Sequence, residues 1–452
     1  MNMPLSDTIV GIATLQGASA LNVLRVSGSE AISAVSQIFH GKNLSEVPTH
    51  TVHYGHIVEN GAVIDEVMVS IFRRPRSFTG EDVVEISTHG GAFIPNKIVS
   101  LLVQRGCRTA ERGEFSQRAF INGRIDLTQA ESIMDMISAK NDAQLRLAAR
   151  GLQGEVRSLV GEMQANLLEL VAQIEVNIDY PEYEDAVHMT DEVLAPRLQG
   201  LASRMDELLK KAATGKVIRD GIRTVIVGKP NVGKSSLLNS LLREDKAIVT
   251  DISGTTRDIV EGEWNLGGIV LRLADTAGIR DTSDIIEQIG IGKSKKALEE
   301  ADLVLLVLDQ SRKMTQEDIQ LLEMTKDKTR IIVGNKIDLG KNVDLEKEKM
   351  INVSALTSAG IDLLEAEVKR LFVDESLFEA SEVLLSNARH IGKIREARQS
   401  VGDALAACQK RLPVDMVEID IRHAWEVLGE ITGEFGSEAL ISSLFSRFCL
   451  GK

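Results

Sequence analysis

The chain has 452 residues, too many for one ordinary domain, and about two to four domains are expected. Hydrophobic residues make up 43% and charged residues 26%, the balance of a globular protein, while aromatics at 4% require mostly aliphatic cores. The formal net charge of −14 excludes general nucleic-acid binding through the overall field, and three cysteines without paired spacing argue against a disulfide scaffold and fit a reducing cytoplasm. No apolar run reaches the length of a membrane span, and Met1 to Asp7 lacks the pattern of a signal peptide.

Residues 1–118 read as an α+β domain. Strands are expected at Thr8–Ala13, Leu21–Val26, Val67–Phe72 and Val83–Ser87, with a helix from Pro95 to Gln104. Residues 119–215 read as helical. Asp126 to Glu131 opens one helix with a capping-type start, Leu152 to Ile178 carries apolar residues at three- and four-residue spacing, and a further helix runs from Asp191 to Ala213. Residues 216–377 alternate strand and helix. Helices return in 378–452, at Glu382–Lys410 and Asp415–Leu428, followed by the tail. The simplest topology inserts the α/β domain between two parts of one discontinuous all-α domain.

The chemistry-bearing motifs lie in the inserted domain. Gly228-Lys229-Pro230-Asn231-Val232-Gly233-Lys234-Ser235 follows the apolar run Thr224–Val227 and precedes a helical pattern beginning Ser235-Ser236. Strand, glycine turn and helix N-terminus make a cradle of backbone N–H groups for a polyphosphate, with Lys234 reaching the β- and γ-phosphates and Ser235 binding Mg²⁺. Asp275-Thr276-Ala277-Gly278 ends a strand, where Asp275 would hold Mg²⁺ through water and Gly278 would sense the γ-phosphate. Gly267-Gly268 reads as a tight hairpin turn leading into that strand. Asn335-Lys336-Ile337-Asp338 follows another strand, and a carboxylate there accepts two hydrogen bonds from guanine that adenine cannot offer. Ser354-Ala355-Leu356 supplies a backbone N–H for guanine O6, and Gly254-Thr255-Thr256 lies in a loop whose threonine completes the Mg²⁺ shell. Singly these words are weak; in this order after strands they specify a GTP-binding domain resembling the Ras-like GTPases.

One position departs from the Ras pattern. Where a glutamine orients the attacking water, this chain has Ile279, which cannot hydrogen-bond. A K⁺ ion held by Asn231 and wrapped by carbonyls of Thr250-Asp251-Ile252-Ser253-Gly254-Thr255 would supply charge, although Asn231 reads equally as a turn residue on spacing alone. Glu287 is, on sequence alone, one acid among many.

The whole chain resembles the MnmE (TrmE) family of tRNA modification GTPases. The likeness is carried by Asp7-Thr8-Ile9-Val10, Phe78-Thr79-Gly80-Glu81-Asp82-Val83, His89-Gly90-Gly91, Gly113-Glu114-Phe115, Asn122-Gly123-Arg124-Ile125-Asp126-Leu127 and Phe448-Cys449-Leu450-Gly451-Lys452. The resemblance implies a folate-binding N-terminal domain that mediates homodimerisation, with Arg25, Glu85, Arg124 and Lys452 at the folate; without the family each reads as a surface ion-pair residue. Arg25 and Arg124 would suit the glutamyl carboxylates and Glu85 the pterin edge. It also implies a K⁺-activated GTPase with K⁺ ligands at Asn231, Thr250, Ile252 and Thr255, Mg²⁺ ligands at Ser235 and Thr256, and a catalytic glutamate at Glu287. Cys449 falls near the folate site in the family and is a candidate catalytic thiol. Leu15 to Ala20 is less glycine-rich than the family's corresponding loop. The implied activity is carboxymethylaminomethylation of the tRNA wobble uridine. It would use a 5-formyl- or methylene-tetrahydrofolate one-carbon unit and an FAD-bearing MnmG (GidA) partner, in the cytoplasm.

Two other classes fit parts of the pattern. A ribosome-assembly switch GTPase of the Era or Der type would share the nucleotide motifs but normally adds a compact basic RNA-binding domain. A folate aminomethyltransferase fused to a GTPase would act alone on a small molecule.

Overall fold

The computed structural model describes residues 7–14, 19–179, 190–243, 262–266, 268–275, 297–345, 348–372, 384–448 and 451. The chain forms two compact units, one of residues 1–134, 151–169 and 425–452, the other of residues 135–150 and 170–424.

The first unit is built on a seven-stranded mixed sheet. Its strands are β1 (Ile9–Ile12), β2 (Leu21–Ser27), β3 (Phe39–Gly41), β4 (Thr51–Glu59), β5 (Ala62–Phe72), β6 (Val83–His89) and β7 (Arg108–Thr109), in the spatial order β3-β4-β5-β6-β2-β1-β7. Alternation decides which face is covered: Val67, Val69 and Ile71 of β5 point into the core, while Glu66 and Met68 point out. Helices α1 (Ala31–Ser36) and α2 (Phe93–Gln104) cover the apolar face through Ala31, Val35, Ile98 and Leu102. Helix α3 (Glu114–Ile121) runs through the boundary expected at 118/119, because Phe115, Arg118 and Ala119 are buried on one continuous helical face. A smaller cluster joins Leu127 and Ala130 to Phe445 and Phe448.

The helices after it follow local signals. Asp126 caps α4 (Leu127–Ser138) reciprocally: its Oδ1 accepts from Gln129 N at 2.9 Å, and its N donates to Gln129 Oε1 at 3.1 Å. Gly154, at φ +86°, separates α5 (Asp142–Leu152) from α6 (Glu155–Asp179), so the single helix expected from Leu152 begins only at Glu155.

In the second unit, α7 (Ala195–Asp220) continues past the boundary expected at 215/216 and ends at Gly221. It packs against the helix Ala388–Gln409, which follows the inserted domain in sequence, and Arg398 pairs with Asp206 through bonds of 3.0 and 2.9 Å. The all-α part is therefore discontinuous in sequence. The insert is a six-stranded sheet of β8 (Ile222–Val227), β9 (Gly262–Asn265), β10 (Val270–Asp275), β11 (Leu303–Asp309), β12 (Arg330–Asn335) and β13 (Met350–Asn352), in the order β13-β12-β11-β8-β10-β9. All its pairings are parallel except β9 with β10. Leu303, Leu305 and Val307 of β11 enter the core on one face, and Val304, Leu306 and Leu308 the core on the other, as expected of a sheet covered on both sides.

The first unit also carries a buried charge network. Arg118, 3% exposed, reaches Asp7 Oδ1 at 2.5 Å, Glu114 Oε1 at 3.0 Å and Glu81 Oε1 at 3.3 Å. Arg108 reaches Glu114 at 2.5 Å and Asp7 at 2.7 Å. Burial pushes the Asp7 and Glu114 carboxyls up, but the arginine hydrogen bonds outweigh it and hold both below their ordinary values of 3.8 and 4.5. Removing Arg118 leaves the Glu114 carboxylate, 2% exposed, with half its cationic partners. The variant Arg118→Leu should lose about 3–5 kcal/mol at neutral pH, read by urea unfolding from Trp425 in a Trp264→Phe background. The depressed carboxyls stabilise the wild type fully above 4.5, and that contribution is lost as pH falls through their lowered values; the variant should show a shallower acid decline.

Candidate nucleotide site

Strand β8 ends at Val227, and the chain turns through residues 228–233 into α8 (Lys234–Arg243). A Cβ on Gly228 would sit 2.6 Å from Val307 O of neighbouring β11, and one on Gly233, at φ +94°, would sit 2.3 Å from Asn335 Nδ2. Both glycines are thus required by close approach. Lys234 Nζ folds back onto the carbonyls of Gly228 and Lys229 at 2.9 and 2.8 Å. The base of the loop is pinned by Lys229, whose Nζ reaches Asp318 Oδ2 at 2.6 Å and Thr315 Oγ1 at 2.5 Å. Thr315 and Asp318 form the capping box of the helix Gln316–Met324, a Thr-x-x-Asp signal visible in the sequence but not recognised there as a loop anchor.

Two further loops meet this one at the carboxyl ends of the parallel strands, where open α/β sheets bind ligands. Asn335, 1% exposed at the end of β12, donates from Nδ2 to Val232 O at 2.9 Å and accepts at Oδ1 from Ala355 N at 3.0 Å. Lys336, at φ +67°, donates from Nζ to Asn231 O at 2.6 Å and pairs with Asp309 Oδ2 at 2.9 Å. Burial pushes the Asp309 carboxyl up, but hydrogen bonds from Ser311 and Lys336 outweigh it and hold it below its ordinary value. Asp338 Oδ1 accepts from Ser354 Oγ at 2.6 Å. Leu356 is 84% exposed and, of the expected Ser-Ala-Leu set, takes no part in this bonding. Asn231, Val232, Gly233, Asn335, Lys336, Asp338, Ser354 and Ala355 therefore converge. Ser235 and Ser236 stand in the first turn of α8, and Asp275 ends β10 beside Ile226 of β8.

Of the expected folate residues, Arg25, Glu85 and Arg124 fall in the first unit. Arg25 and Glu85 are directly opposed across β2 and β6, and Arg25 Nε and Nη2 both donate to Glu85 Oε1, at 2.9 and 2.7 Å. The Arg25 guanidinium also lies over the rings of Phe78 and Phe115, 5.0 and 5.7 Å from their centroids. The two side chains were assigned to opposite ends of a folate. In this structure the two are bonded to each other. Exposed Arg124 donates from Nε to Ser77 O at 3.4 Å, on the loop that carries Phe78. Gly451 is buried against β1, at φ +86°, where a Cβ would meet Ile12 O at 2.2 Å. Gly11 of β1 is the register partner of Arg25, and Gly451 Cα lies 3.6 Å from where a Gly11 Cβ would stand, which brings Gly451 beside the Arg25–Glu85 pair.

Residues 8–124 match the family model described as the GTP-binding protein TrmE N-terminus, and residues 127–449 match the MnmE helical domain. The chain belongs to the MnmE family of tRNA modification GTPases. It is 49% identical over 449 residues to the tRNA modification GTPase MnmE of Streptococcus mutans, covering 99% of each chain. It is 50% identical over 454 residues to that of Streptococcus pyogenes serotype M4, covering 99% of this chain and 98% of the relative. Among solved structures, the G domain of the T. maritima FeoB iron transporter aligns with 33% of this chain and 97% of that one, at 28% identity and a TM-score of 0.26. The matched N-terminal and helical domains distinguish MnmE from the ribosome-assembly alternative.

Several of the expected site residues lie outside the described residues: Thr250, Asp251, Ile252, Ser253, Gly254, Thr255, Thr256, Thr276, Ala277, Gly278, Glu287, Cys449 and Lys452. The same holds for Ile279 and for residues 15–18. The described cysteines do not suit nucleophilic work: Cys408 is buried, and burial pushes the Cys107 thiol up to about 11. Among the described residues no helix is long and apolar enough to cross a membrane.

The Asn335 bridge gives a direct test. Replacing Asn335 with Ala strands Val232 O and Ala355 N and should weaken GDP binding by about 1–3 kcal/mol. Calorimetric titration should register this as a rise of about 5- to 150-fold in Kd, with the thermal transition of the first unit unchanged.

Proposed function

We propose that this protein is a homodimeric, K⁺-stimulated GTPase. With an FAD-dependent flavoprotein partner of the MnmG type, it forms 5-carboxymethylaminomethyluridine at the tRNA wobble position from a tetrahydrofolate one-carbon unit. The observation that carries the reading is the junction of three loops through Asn335, joined to a likeness to MnmE relatives over 99% of the chain. The domain division behind the reading is a folate and dimerisation domain at 1–118, helical parts at 119–215 and 378–452, and the G domain at 216–377.

The backbone N–H groups entering α8 receive the phosphates, and the helix dipole favours their charge. Lys234 offsets negative charge at the β- and γ-phosphates. Ser235 and Thr256 would hold Mg²⁺, with Asp275 at the adjacent strand end; an ion held there would offset the negative charge that develops on the phosphates. Asn231, Thr250, Ile252 and Thr255 would hold K⁺, which supplies positive charge where Ile279 offers no hydrogen bond. Glu287 would orient the hydrolytic water. Asp338 receives the guanine N1–H and N2 amino group, and Ser354 fixes its carboxylate for that contact.

In the first unit, the Arg25–Glu85 pair supports a revised division of labour. Glu85 faces the donor-rich pterin edge, and Arg25 holds Glu85 in place from its seat over Phe78 and Phe115. Arg124 and Lys452 are then left for the glutamyl carboxylates. Cys449 stays a candidate thiol near the one-carbon unit. A second copy of the chain is supported by the outward face of β4 and β5, where Val52, Tyr54 and Met68 are 57%, 56% and 43% exposed.

GTP turnover by the purified chain should be much faster in K⁺ than in Na⁺ at equal ionic strength; equal rates would sink the K⁺ assignment. Mass analysis of wobble nucleosides should show loss of the modification in Glu287→Ala cells. An unchanged profile in Cys449→Ser cells would remove that thiol from the chemistry.

A further inference from the structure

Charge is unevenly divided along the chain. Residues 1–124 carry eleven Lys or Arg and eleven Asp or Glu, so the entire net charge of −14 falls on the residues after them. Within that neutral stretch most acids are held inside the fold. Asp7, Glu81 and Glu114 hold Arg108 and Arg118, Glu85 holds Arg25, and Glu59 holds Lys97. The loop joining β5 to β6 repeats this division over residues 73–82, which include Arg73, Arg74, Arg76, Glu81 and Asp82. Glu81 turns inward to Arg118 and accepts from Ser27 Oγ at 2.6 Å, and Asp82 Oδ1 accepts from the backbone N of Arg74 at 2.9 Å. Half-buried Arg73 serves the fold: its Nη2 donates to Leu44 O, Ser45 O and Val47 O at 3.2, 2.9 and 3.2 Å. The side chains of Arg74 and Arg76 are left exposed on either side of Pro75, with no acid partner among the described residues. Two like charges so placed repel each other, and the fold gains nothing from them.

The loop presents both arginines from a fixed backbone. Pro75 locks its own φ, Ser77 Oγ donates to Glu81 O at 2.6 Å, and Thr79 Oγ1 meets Ser27 Oγ at 2.7 Å. From the turn after α3, Asn122 Nδ2 donates to Thr79 O at 2.7 Å and Arg124 Nε to Ser77 O at 3.4 Å, so a third exposed guanidinium borders the loop. Phe78, two residues beyond Arg76, lies against the guanidinium of Arg25 in the Arg25–Glu85 pair. The basic surface therefore adjoins the candidate folate site. A nucleotide whose base is to receive a one-carbon unit there must bring its flanking phosphates to the rim of that site. Arginine suits such a rim, because its planar fork binds phosphate oxygens in pairs, and here no carboxylate has to be displaced first.

We infer that Arg74 and Arg76 form a docking surface for the sugar-phosphate backbone of the tRNA, beside the site where the one-carbon unit is delivered. They are positioning residues and touch no reacting atom. An acidic chain thereby engages RNA through a local surface in a stretch without net negative charge, and not through its overall field. The inference rests on the tRNA modification reading above and deepens it.

The test uses the full-length protein with its flavoprotein partner, the folate donor and tRNA. It compares wild type with Arg74→Gln/Arg76→Gln, with Arg74→Lys/Arg76→Lys, and with Lys313→Gln/Lys410→Gln, which removes the same charge from exposed positions of the second unit. In Arg74→Gln/Arg76→Gln the KM for tRNA should rise about 5- to 50-fold at about 0.1 M salt. Its kcat for modification, and its GTP turnover without tRNA, should stay within about twofold of wild type. The fall of log kcat/KM with log salt should become shallower by about 1.4–1.8, from two phosphate contacts at about 0.7–0.9 each. Lysines keep both charges, so Arg74→Lys/Arg76→Lys should retain the wild-type slope, and the second-unit variant should retain the wild-type KM. An unchanged KM for tRNA in Arg74→Gln/Arg76→Gln overturns the inference, whether kcat, flavoprotein binding or nothing else changes. So does an equal rise in the second-unit variant, or a slope that flattens as much with lysines. A wild type that leaves the wobble uridine unmodified would instead overturn the functional reading beneath it.

Discussion

Three loops leave the carboxyl ends of parallel strands with backbone groups that no strand partner can satisfy, and one buried amide joins them. The Asn335 side chain has a donor end and an acceptor end, and it spends them on Val232 O of the phosphate loop and Ala355 N of the base-recognition loop. A carboxylate in its place could not donate to Val232, and an apolar side chain could do neither. The neighbouring Lys336 repeats the link through Asn231 O and returns to the sheet through Asp309. The loop of residues 228–233 and the loop of Ser354 and Ala355 are therefore held in place with respect to each other in the free chain; a ligand that spans them would be spared that ordering cost.

The first unit is organised by ion pairs of a different kind. Arg118 and Arg108 gather Asp7, Glu114 and Glu81, tying the segment before β1 to α3 and to the loop before β6. Ser27 extends the network, donating to Glu81 Oε2 at 2.6 Å from the end of β2. That strand carries Arg25, so the residues that shape the candidate folate site are fixed by the same electrostatics that hold the unit together.

Much of this was legible in the sequence because it is local. The phosphate loop needs a strand, a glycine turn and a helix start, all within 222–243, and each leaves its own signal. Asp126 announces α4 as a capping residue for the same reason. Of the turn read at Gly267-Gly268, Gly267 lies outside the described residues; on either side of it Leu266 N donates to Ile269 O at 2.8 Å and β9 pairs antiparallel with β10. Strands β3 and β4 were not anticipated. Only Gly55 and Ile57 of β4 are buried, so its apolar alternation is faint. The signal that does mark it is Asn60-Gly61, both at positive φ, the preferred turn of a two-residue hairpin. The Arg25–Glu85 pair was hidden for another reason: its partners are 60 residues apart, and register across β2 and β6 is a property of the sheet. The Lys229–Asp318 anchor is likewise a product of tertiary placement: Thr315 and Asp318 read locally as a helix cap, and nothing near them says that Lys229 meets that cap.

Gly451 beside β1 has a consequence for how the chain is made. Phe445 and Phe448 pack on Leu127 and Ala130, and Gly451 closes against Ile12, so the first unit is completed by residues made long after its sheet. A ribosome adding about 5–20 residues per second needs about 15–60 s to pass from residue 134 to residue 425. For that interval the nascent first unit holds out an apolar surface, with Phe120, Ile125 and Leu127 awaiting their cover. Newly made chains should therefore be most vulnerable to self-association, and most in need of chaperone shelter, while the G domain is still emerging.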